Sequence, residues 1–95
     1  SSNFDFKLKY FLGENCIYIA SFNNQKLMLV NRYKIKSSED SLYFILSVIK
    51  ESKLINEPFN IECLGIEDKV LVSKLKDIFP NVQIEYDQHF NYKNL

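Results

Sequence analysis

The stretch Ile61–Tyr86, IECLGIEDKVLVSKLKDIFPNVQIEY, decides how this chain folds. Phe59, just before it, joins Ile61 and Cys63 in an alternating run that reads as a strand, and Gly65 releases the chain from that strand. Leu71, Leu75, Ile78 and Phe79 then fall at helical spacing, which predicts a helix over about Asp68–Phe79. Pro80 stops it, and Val82, Ile84 and Tyr86 return to the period of a strand. A strand, a crossover helix and a second strand form a right-handed unit, so the two strands run parallel.

Upstream, Phe4, Phe6, Leu8, Tyr10 and Leu12 occupy even positions while Asp5, Lys7 and Lys9 take the other face. That is a half-buried strand. Gly13-Glu14-Asn15 turns the chain, CIYIASF (16–22) is dense in β-formers, Asn23-Asn24-Gln25 turns it again, and KLMLVNRYKIK (26–36) returns. Three such runs with short polar breaks predict an antiparallel meander. Ser37 is placed to cap a helix with Asp40 three residues on, and Glu39 and Asp40 favour its positive end. The helix is expected to run to about Leu54, with Leu42, Ile45, Leu46 and Ile49 against the sheet. Phe44 and Val48 then fall on nearly the opposite side with Tyr43 between, a second apolar stripe predicted to meet a partner. The second helix covering that stripe is the competing reading.

The element order is therefore βββαβαβ. Right-handed crossovers place strands one, four and five parallel, giving a mixed α+β sheet of order 3-2-1-4-5 with two helices, the ribonuclease H-like fold. A different small α+β arrangement of the same elements is the alternative.

Composition excludes several functions. Twelve basic and twelve acidic residues cancel, so no net field draws the chain to nucleic acid or to an anionic membrane. Arg32 is the sole arginine, and bidentate phosphate recognition has little material. No apolar run approaches the ~20 residues that cross a bilayer. Cys16, Cys63 and His89 are too few for a structural zinc site, and the cysteines read as buried thiols of a reducing cytoplasm rather than as a disulfide. The chain begins Ser1-Ser2-Asn3 without methionine, so it is expected to be excised from a longer protein, with 1–3 a tag remnant, 4–87 one domain and 88–95 a polar tail.

Two resemblances follow from these segments. Ile61–Tyr86 looks like the adenosine-side segment of the second half of actin-like ATPases, where two ribonuclease H-like units clamp ATP. NRYKIKSSEDSLYFILSVIKESKL (31–54) resembles the domain of unknown function family 3822 of uncharacterised bacterial proteins, through Ser38, Glu39, Asp40, Leu42, Tyr43, Phe44 and Leu46. The likeness covers about Tyr10–Tyr86.

The superfamily's nucleotide motifs are degraded here. Its phosphate hairpin carries an acid two positions before the glycine, but Phe11 stands two before Gly13, and an aromatic cannot hold magnesium. Its adenosine side carries a glycine pair, whereas Gly65 is followed by the branched Ile66. No cofactor and no metal is expected. Nuclease chemistry would need Asp5, Glu39 or Asp40, and Glu67 or Asp68 around two metals ~4 Å apart. Asp5 and Glu67 fall at opposite ends of neighbouring parallel strands, roughly 20 Å apart. Tyr10, Phe11, Tyr18, Phe22 and Tyr33 interleaved with Lys7, Lys9, Lys34 and Lys36 could form a nucleic-acid platform. Aromatics in strands are mostly core, however, and the chain is neutral.

The resulting expectation is a non-catalytic half of a degenerate actin-like protein, acting in the cytoplasm as a protein-interaction or scaffold module. Its partner would be the missing first half or a second copy of the chain, with no nucleic acid and no membrane. The alternative is a residual nucleotide-binding ATPase half completed by that missing domain.

Overall fold

The computed structural model describes residues 6–87, and the expectations for 1–3 and 88–95 lie outside the described residues. Strands β1 (Phe6–Leu12), β2 (Cys16–Asn23) and β3 (Lys26–Lys34) form the meander. Helix α1 (Ser38–Glu51), strand β4 (Phe59–Gly65), helix α2 (Lys69–Ile78) and strand β5 (Gln83–Tyr86) follow among the described residues. The sheet order is β3-β2-β1-β4-β5, with β2 antiparallel to both neighbours and β4 parallel to β1 and β5. The α+β ribonuclease H-like architecture read from the sequence is the one observed.

Alternation sorts the sheet into two faces. Leu8, Tyr10 and Leu12 of β1, Ile17 and Ile19 of β2, and Phe59, Ile61 and Cys63 of β4 point to one side. There they meet Ile45, Val48 and Ile49 of α1 and Leu71, Val72 and Leu75 of α2 in one buried cluster. Fully burying such aliphatic side chains stabilises the fold by roughly 1.5–3 kcal/mol each. Both helices therefore share a single face.

The orientation of α1 corrects the sequence reading. Val48 is 0% exposed and lies in the core, and Phe44 is half-buried with its ring stacked 4.2 Å from that of Tyr33. Of the predicted partner stripe, Tyr43 alone stands out in solvent, at 66% exposure. The inward row is Ser41, Ile45, Val48 and Ile49, so the helix is turned by about 60° from the expected face. Two small serines explain it. Ser41 is 1% exposed, and Ser52, just past the helix end, is buried with its Oγ 2.7 Å from Ser21 Oγ of β2. Small polar residues at both ends of the row let the helix lie close to the sheet, which a search for large apolar residues overlooks.

The caps follow the sequence more closely. Ser37 Oγ accepts from the Asp40 amide (3.1 Å), and Asp40 Oδ2 accepts from the Lys36 amide (2.7 Å). At the other end the helix stops at Glu51 rather than near Leu54. Lys53 takes a positive φ of 61°, and the amides of Ser52 and Leu54 donate to the carbonyls of Val48 and Ile49. Leu54 thereby turns into the core instead of extending the helix.

The tightest point of the fold is where β4 ends against β1. Gly65 has φ +84°, and a Cβ there would lie 2.3 Å from the Leu12 carbonyl oxygen. The next amide, that of Ile66, donates to that same oxygen at 2.8 Å. Gly65→Ala combines left-handed strain with a backbone collision and should lower unfolding free energy by about 3 kcal/mol, measured by urea denaturation.

Candidate functional site

The ends of β1 and β4, the β1–β2 hairpin and the two helix starts meet at one edge of the core. This is where a nucleotide site of the resembled superfamily would have to be. Asp68 caps α2, with Oδ1 accepting from the Leu71 amide (3.0 Å) and Oδ2 from Ser38 Oγ (2.6 Å) at the start of α1. One carboxylate thus ties both helix starts together. Across the same region Lys74 Nζ lies 3.8 Å from Glu39 Oε1, an exposed pair of small energetic weight.

The Gly13 amide, which a phosphate in the hairpin would need, is engaged elsewhere. The Gly13 amide donates to the Cys16 carbonyl (2.9 Å), and the Ile35 amide donates to the Asn15 carbonyl (3.0 Å). The hairpin is closed on itself. Phe11 turns to the sheet face away from the helices, where it meets Tyr18 edge-on at 6.3 Å. The side chain of Ile66 packs against the buried cluster, and the space beside Gly65 is filled by Leu12. The glycine serves strand closure. Among the described residues no three His, Cys, Asp or Glu side chains come together as a metal site. Asp5, one of the acids considered for a nuclease centre, lies outside the described residues.

Behind this edge, Tyr10, Cys63 and Tyr86 form a row under α2, the first two buried and Tyr86 half-buried. Burial raises the Cys63 thiol to about 11, with Glu62 adding to the effect and Tyr10 opposing it. Burial also pushes Tyr86 up to about 12, and drives Tyr10 well above the ordinary phenol range. The hydroxyls of Tyr10 and Tyr86 are enclosed without hydrogen-bond partners of normal geometry. Such groups stay protonated at neutral pH, so none supplies a base or a thiolate nucleophile. Both cysteines are free; Cys63 is buried as expected, whereas Cys16 is only half-buried.

Among the described residues, no helix lies on the other face of the sheet. Reading across registered rows, Arg32, Tyr18, Phe11 and Leu64 stand side by side, followed by Val30, Ala20, Lys9, Glu62 and Glu85. Tyr18, Leu27, Met28 and Val30 are each 44–53% exposed. A shallow groove of about 120 Å³ runs over Ala20 between Phe11, Tyr18, Val30 and Leu64. The Arg32 guanidinium sits 6.0 Å from the Tyr18 ring, and Lys9 Nζ 5.5 Å from that of Phe22. Lys7 and Lys9 both approach Glu62, at 3.4 and 3.8 Å. Of the aromatics weighed as a nucleic-acid platform against a place in the core, Phe11, Tyr18 and Phe22 stand on this face, whereas Tyr10 and Tyr33 are on the helix side. Apolar residues on both faces of CIYIASF were the signal in the sequence, but they read equally well as a strand buried on both sides.

A mixed five-stranded sheet in this order, with both helices on one face, defines a ribonuclease H-like unit of the kind found in actin-like proteins. Residues 7–82 match the family described as "Protein of unknown function (DUF3822)", and the chain belongs to that family. The chain is similar to a Bacteroides thetaiotaomicron protein with an actin-like ATPase fold and unknown function. The two share 22% identity with a TM-score of 0.81, over 92% of this chain and 34% of that one. It is also similar to the foamy viral protease-reverse transcriptase in complex with double-stranded DNA, at 14% identity and a TM-score of 0.55. That match covers 93% of this chain and 23% of the viral one. The chain thus spans about a third or less of either structure, and at these identities the likeness is one of fold alone. No curated protein matches. No helix among the described residues is long and apolar enough to cross a membrane.

The buried row has a measurable consequence. Cys63 holds its proton more tightly in the folded state than the ordinary 9.0, so the folded chain binds more protons than the unfolded chain above that value. Tyr10 and Tyr86 act in the same direction from 10.0 upward. Stability is predicted to be insensitive to these groups below pH 9 and to fall from pH 9 to 11, followed by urea titrations across that window. Replacing Cys63 with serine should move the onset of the fall toward higher pH.

Proposed function

We propose that this domain is a non-catalytic half of a degenerate actin-like protein and works as a protein-interaction or scaffold module. The observation that carries the reading is the closure at Gly65. The glycine admits the Leu12 backbone, and the following amide is bonded to Leu12, so neither offers an approach to a ribose or a base. The self-bonded hairpin at Gly13 and the turning away of Phe11 support it further. Two free thiols, one deep in the core, fit a reducing compartment such as the cytoplasm. The partner would be the first half of a longer parent or a second copy of this chain. With Val48 buried and Phe44 stacked on Tyr33, Tyr43 is the residue of the expected α1 stripe that stands exposed to such a partner.

Isothermal titration of the chain with magnesium-ATP at millimolar concentration is the test. No saturable heat is expected. A saturable signal that disappears on removing magnesium would favour the alternative, a residual nucleotide-binding ATPase half.

A further inference from the structure

We draw no further inference here: the strongest candidate, the apolar surface around Phe11, Tyr18, Val30 and Leu64 on the sheet face opposite the helices, is unpartnered among the described residues, and nothing in the structure shows what covers it.

Discussion

Everything in this fold is referred to the parallel contact between β1 and β4. The pairing runs from Phe6 opposite Phe59 to Leu12 opposite Gly65, and it sets Leu8, Tyr10 and Leu12 beside Phe59, Ile61 and Cys63 in the core. The contact can run to its end only because residue 65 lacks a side chain and tolerates φ +84°. From there the chain must leave toward α2, and the Ile66 amide fastens the exit to Leu12. The core under both helices, the Asp68 link between their starts and the position of β5 all depend on that exit.

The same constraint bears on function. A glycine at a strand end in this fold suggests room for a ligand, but here the room is already taken by protein backbone. The hairpin at Gly13 is similar, with its amide bonded across the turn to Cys16. Among the described residues, the sheet face opposite the helices is left without a covering layer. The apolar side chains there are neither buried nor dispersed, and the charges around them are segregated by sign from β3 to β5. Ion pairs between Lys7, Lys9 and Glu62 leave that segregation in place at the two edges.

Much of this was legible in the sequence. Alternation in Phe6–Leu12 and Phe59–Cys63, the glycine and proline boundaries, and Ser37 before Glu39 and Asp40 specify strands, crossovers and a capped helix by local chemistry alone. The end of α1 was not legible, because Leu54 continues the helical apolar pattern while Lys53, a lysine rather than a glycine, adopts the left-handed turn. The face of α1 was misread for a related reason. Ser41 and Ser52 point inward, and a serine that is buried because it is small looks the same in sequence as one that is exposed because it is polar. The two faces of β2 were ambiguous too. Ile17, Tyr18 and Ile19 are all strand-forming, and only the placement of both helices on one side shows which of them is left outside.

The central claim is that the Gly13–Gly65 edge is closed by the chain's own backbone. Amide chemical-shift mapping on the isotope-labelled chain during a magnesium-ATP titration tests it most directly. The account predicts that the amides of Gly13, Gly65 and Ile66 are unmoved by nucleotide. Saturable shifts at those three amides on adding magnesium-ATP would contradict it.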